Sequence, residues 1–198
     1  VLRYMPNSKV LYLYSDLESF LISNMKKTTE TQEKMAGLLA GFLRDSDFGK
    51  KYPAYINVSQ LSFLQICGLI WVVNLYGLQK AIQEVGTANV RTLEMALLLS
   101  DLPDTLSNVS RYFGHQSNAQ EIRSMMDHEV VGRHAKDQSQ PFDVTLRDRE
   151  ALTILDRFGP EIERAKQWIQ PLVEELDLTF LIESRAVTSD RPLSAGDV

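Results

Sequence analysis

The chain has 198 residues, 44% of them hydrophobic and 24% charged, with a formal net charge of −5 and one cysteine. That length supports one domain with a real core, and the composition is that of a globular protein rather than a disordered or fibrous one. The acidic balance, with a pI of about 5.3, disfavours general nucleic-acid binding while leaving a local basic site open, and the lone Cys67 excludes an intrachain disulfide framework.

In chain order, Leu2-Arg-Tyr-Met-Pro-Asn7 leads at once into Lys9-Val-Leu-Tyr-Leu-Tyr14, which alternates and is rich in β-formers. It reads as a strand. An opening at Val1 rather than Met reads as the middle of a longer protein or a processed boundary, and no secretory or transit pattern is evident. Ser15 to Ser23 reads as a helix, with Ser15 as cap and Glu18 three residues on, the capping-box spacing. A strand feeding a capped helix is half of a βαβ unit, and its turn either binds an anion on free N–H groups or is simply a capped turn.

Residues 28–46 place Met35, Leu38, Leu39, Phe42 and Leu43 at amphipathic-helix spacing, and Lys50 to Pro53 reads as a loop. Residues 52–79 carry no charge, and Leu61 to Leu78 is long enough to span a membrane. Gln60, Gln65, Asn74, Gln79 and two glycines oppose lipid on all sides, so the expectation is a helix over 59–84 buried against a sheet. Cys67 in that run reads as an inert buried thiol. Ala88 to Leu93 reads as a second strand and Asp101 to Phe113 as a helix stopped by Gly114. Ser117 with Gln120 predicts a capping box for a helix to about Val131.

Gly132 to Asp143 reads as a polar loop carrying Arg133, His134 and Lys136, either solvated or able to grip a phosphate. Thr145 to Phe158 predicts a helix ending at Gly159, and Pro160 starts a last helix to about Leu176, kinked or shortened by Pro171. Residues 1–180 form the expected domain and 181–198 a disordered tail. Two strands do not make a stable parallel sheet, so residues outside this chain are expected to complete it. No Gly-rich phosphate loop, HExxH or other helix-spaced metal pair is present, so no metal site is expected. Asn57 and Asn108 stand in glycosylation sequons, which matter only in a secretory protein.

The order of segments resembles the C-terminal portion of PAPS-dependent sulfotransferases, especially the bacterial sulfotransferase-like branch, over roughly residues 5–176. In that family an arginine follows the opening strand and a serine lies eight residues on; Ser15 stands at the arginine position and Ser23 at the serine. Leu98-Leu-Ser-Asp101, Leu106 and Phe113-Gly114 are similar to the family's "DLLxDP…L…FLG", with Ala96 and Leu97 replacing its acidic residues. Arg133-His-Ala-Lys136 through Gln140-Pro-Phe-Asp143, followed by a charged helix and Trp168, is similar to its "RHSK…PFD" loop.

The resemblance implies an α/β fold: a partial P-loop-type parallel sheet with a predominantly helical C-terminal part. It implies PAPS as co-substrate, held at its 3′-phosphate by Ser15, Ser23, Arg133 and more weakly Lys136, with a sulfuryl group passing to a hydroxyl or amine acceptor. Phe63, Trp71 and Tyr76 on the apolar helix would line an acceptor wall or be plain core. The family's phosphosulfate loop and catalytic base lie upstream of its equivalent of Tyr4, so this chain is expected to lack both and to carry no catalytic residue. The partners expected are a nucleotide co-substrate and a small acceptor, without nucleic acid or a membrane span, in the cytoplasm. A homo-oligomer through helix 59–84 is open. The alternative reading is a non-catalytic, degenerate helical interaction module.

Overall fold

The computed structural model describes residues 8–55, 57–85, 89–128, 133–134, 137–141, 144–183 and 186–187. Strand β1 (Val10–Tyr14) pairs in parallel with β2 (Val90–Glu94), with Val10 opposite Val90 and Tyr14 opposite Glu94. Between them run α1 (Leu17–Met25), α2 (Thr29–Asp45), the short α3 (Phe48–Lys51) and α4 (Phe63–Val85). Beyond β2 come α5 (Met95–Ser100), α6 (Leu102–Phe113), α7 (Ala119–Met126), β3 (Arg133–His134), β4 (Asp137–Pro141), α8 (Val144–Glu175) and α9 (Leu178–Glu183). The chain is thus mostly helical with a small parallel sheet, a mixed α/β protein.

The sheet gains a third contact on the far side of β2. Thr92 bridges Ala186 in parallel, and the Val187 N–H donates to the Thr92 carbonyl at 3.0 Å. The buried Thr92 hydroxyl also donates to the Ile182 carbonyl at 2.6 Å. Of the residues assigned to the tail, Leu181, Ile182 and Val187 are buried, while 184, 185 and 188–198 lie outside the described residues.

The core is centred on α4, whose buried Cys67, Leu69, Val72 and Leu75 pack among α1, α2, α8 and α9. Helices form most of its cover, and the sheet adds Val90, Tyr12 and Tyr14 to the same core. The reason is size: a 23-residue helix is about 35 Å long, whereas a five-residue strand spans about 17 Å. From α8 come Ile162, Ala165, Ile169, Leu172 and Val173. No helix among the described residues is long and apolar enough to cross a membrane.

Several local expectations shift by a residue. Asp16, not Ser15, caps α1: its carboxylate accepts from the Ser19 N–H at 2.9 Å. A carboxylate is favoured at the positive end of a helix, and Glu18 turns instead to Lys166 at 2.6 Å. Likewise Asn118 and Glu121, rather than Ser117 and Gln120, form the capping box of α7, while the Ser117 hydroxyl pairs with that of Ser110 at 2.6 Å. That helix ends at Met126, short of the expected Val131. Gly114 terminates α6 with φ of 90°, as its position predicts.

The two expected C-terminal helices are one. Continuous α8 carries Pro160 and Pro171 in its interior. Both prolines lie on the exposed face, eleven residues apart and so nearly superposed down the axis. The carbonyls they leave unpaired, those of Asp156 and Gln167, belong to exposed residues that water reaches. The expected loop before it contains an antiparallel pair, with Arg133 opposite Pro141 and His134 opposite Asp137. Asp137-Gln-Ser-Gln-Pro141 has neither alternation nor β-formers, so no strand signal was present.

Candidate functional site along α1

The β1-to-α1 turn is held from beneath. Trp71, buried on α4, donates its indole N–H to the Ser15 carbonyl at 2.8 Å. The carboxyl ends of both strands are acidic. Burial pushes the Tyr14 phenol up to about 12, helped by the charges of Glu94, Glu183 and Asp16. With the Asp16 carboxylate on the first turn, the end of α1 nearest Ser15 is already partly neutralised.

The other end of α1 differs. Ser23 is exposed, eight residues after Ser15 and so about 12 Å farther along the axis. Lys26, the C-cap of α1, and Lys27, just beyond it, follow where the helix ends. Lys27 is steadied by a 2.6 Å bond to the Asn24 side-chain oxygen, and Asn24, 1% exposed, donates its amide to the Phe20 carbonyl at 2.7 Å. Lys26 reaches Glu150 at 3.0 Å and the Arg147 carbonyl at 3.4 Å.

Two ion pairs lay α1 antiparallel along α8: Glu18 with Lys166 and Lys26 with Glu150. The hydrogen bond that the Lys166 ammonium donates to Glu18 raises it above its ordinary value. The start of α8 therefore lies beside the Ser23 end of α1. Pro141, opposite Arg133 in the β3–β4 pair, precedes Val144 by three residues. Of the four predicted residues, Ser15 and Ser23 occupy opposite ends of α1. Arg133 sits on β3 near in sequence to the α8 start, and Lys136 lies outside the described residues. The Lys26–Glu150 ion pair was not legible in the sequence, because its partners lie 124 residues apart.

The aromatic residues proposed for an acceptor wall are largely structural. Tyr76 packs edge-on to Phe48 and Tyr52 and donates to Asp47 at 2.9 Å, Trp71 holds Ser15, and Phe63 is half-buried. The exposed positions of α4 include Asn74, Gly77, Ala81, Gln83 and Glu84, so its large apolar side chains face inward. The Cys67 thiol is pushed up to about 12, foremost by burial, and stays protonated. No group of three or more His, Cys, Asp or Glu side chains able to hold a metal occurs among the described residues.

No family model, curated protein or solved structure matches the chain.

Proposed function

We propose that the chain is the nucleotide 3′-phosphate half-site of a PAPS-dependent, sulfotransferase-like protein with a P-loop-type sheet. The full protein would pass the sulfuryl group of PAPS to a hydroxyl or amine, releasing 3′,5′-diphosphoadenosine and a proton. This chain would supply Ser23, Arg133 and, more weakly, Lys136 to the 3′-phosphate, while Ser15, at the opposite end of α1, is too far from Ser23 to share it. Cationic and hydroxyl donors there would bind and orient the nucleotide, whereas the charge that develops on its 5′-phosphate as the sulfuryl group departs would fall to residues around that phosphate.

The observation that supports this reading is the antiparallel seating of α1 on α8. It brings the Ser23 end of α1 beside the helix that directly follows the Arg133 segment. The parallel pairing of β1 and β2 across intervening helices supports the same architecture.

Calorimetry with 3′,5′-diphosphoadenosine tests it. Saturable binding, weakened about tenfold or more by Ser23→Ala and by Arg133→Ala, is the expected result. Absence of binding by a chain that melts cooperatively overturns it. The acidic turn formed by Asp16, Glu94 and Glu183 favours the second reading, a non-catalytic helical module, which that absence would leave standing.

A further inference from the structure

We propose that the outer edge of β1 pairs with β1 of a second copy of this chain, antiparallel about a two-fold axis at Tyr12. The hydrogen-bond pattern identifies that edge. In a parallel pair, alternate residues direct both backbone groups at the partner strand. The Val10 N–H donates to the Asn89 carbonyl at 2.8 Å, so Val10, Tyr12 and Tyr14 bond toward β2, and the N–H and C=O groups of Leu11 and Leu13 point away from it. The far side of β2 is taken, because the Val187 N–H donates to the Thr92 carbonyl. Among the described residues, none bonds to the backbone of Leu11 or Leu13.

Natural proteins blunt a bare edge with a charge, a proline or a bulge. Val10-Leu-Tyr-Leu-Tyr14 has no charge, proline or glycine, its register with β2 is unbroken, and Leu13 is 50% exposed. A two-stranded sheet is also marginal alone. Pairing two copies extends it to a continuous sheet running β2–β1–β1–β2. The large apolar side chains of α4 face inward, so that helix gives a second copy no comparable surface.

The occupant follows from the strand's own symmetry and charge. Centred on Tyr12, antiparallel pairing sets Leu11 of each copy opposite Leu13 of the other. Each such pair exchanges both N–H···O bonds, and the exposed Leu13 side chain gains Leu11 as a neighbour. Lys9 and Arg91 lie at the amino end of the strand pair and Asp16, Glu94 and Glu183 around Tyr14 at the carboxyl end. Lys9 and Arg91 meet Tyr112 rather than a carboxylate among the described residues. The two-fold axis lays the basic end of each strand beside the acidic end of the other, so the surface is complementary to itself.

Sedimentation equilibrium over a concentration series tests this. Wild type should show a monomer–dimer equilibrium below about 1 mM. Leu13→Lys and Leu13→Pro should each raise the dissociation constant about tenfold or more. The proline removes only an N–H that points away from β2, and urea melts check that both variants fold. Leu152→Lys, at a 66% exposed leucine on α8, should leave the equilibrium unchanged. Tyr12→Cys in a Cys67→Ala background should form an intermolecular disulfide on oxidation, because the axis sets residue 12 opposite itself with Cα atoms about 4.5 Å apart. A wild type that stays monomeric at about 1 mM overturns self-pairing and leaves the edge to a strand from elsewhere. A dimer that survives both Leu13 variants, or one in which Tyr12→Cys dimerises without cross-linking, overturns it as well.

Discussion

The indole N–H of Trp71 and the carbonyl of Ser15 meet at 2.8 Å, joining the middle of α4 to the turn between β1 and α1. Trp71→Phe keeps an aromatic ring in the core and removes the donor. It should destabilise the fold by about 1–2 kcal/mol, read as a lower urea midpoint at unchanged slope. An unchanged midpoint would show that the bond does not hold the turn.

Two glycines should respond with opposite signs. A Cβ at Gly68 would meet Ile169 at 3.8 Å, an ordinary contact, so Gly68→Ala should stabilise by about 0.5–1 kcal/mol through helix propensity. Gly114 has φ of 90°, and Gly114→Ala should cost about 1–2 kcal/mol. Thermal melts of the two variants check both signs.

Pro160 and Pro171 each remove a hydrogen bond from α8 without packing into the core. Pro160→Ala and Pro171→Ala should each raise stability by about 1 kcal/mol, less than the full helix-interior penalty because the native helix has already relaxed around the rings and the unfolded chain gains entropy. A drop in melting temperature in either variant would mean that the ring makes a needed contact.

Legibility in the sequence followed the strength of the local signal. The β1 strand, the amphipathic α2 and the Gly114 stop were readable because alternation, 3.6-residue spacing and a left-handed stop are local properties. The cap at Asp16 was missed because adjacent Ser15 and Asp16 both qualify, and the side chain's choice depends on Trp71 and Lys166, far away in sequence. The single α8 was missed because a proline on a solvated face costs less than one in a buried helix, since water reaches the carbonyl it frees. The basic end of α1 went unremarked because its meaning comes from the start of α8, 121–124 residues away.

The buried Cys67 thiol gives a pH dependence of defined sign. Its folded value is pushed up to about 12, against an ordinary value of 9.0. Above pH 9 the unfolded chain releases a proton that the folded chain keeps. Stability should therefore fall as pH rises from about 9 toward 12, by on the order of 1 kcal/mol per pH unit from this group. Cys67→Ala should flatten that part of the profile. In the native protein at pH 8, iodoacetamide should alkylate the thiol only as fast as the chain opens, and rapid labelling would contradict its burial.

Hydrogen exchange with and without 3′,5′-diphosphoadenosine tests the central claim most directly, because it reports where a ligand acts. Added ligand should slow exchange in peptides covering 15–27 and 133–150, leaving the interior of α4 unchanged. Unchanged exchange in both segments at saturating ligand, or protection confined to other parts of the chain, would contradict a nucleotide half-site along α1.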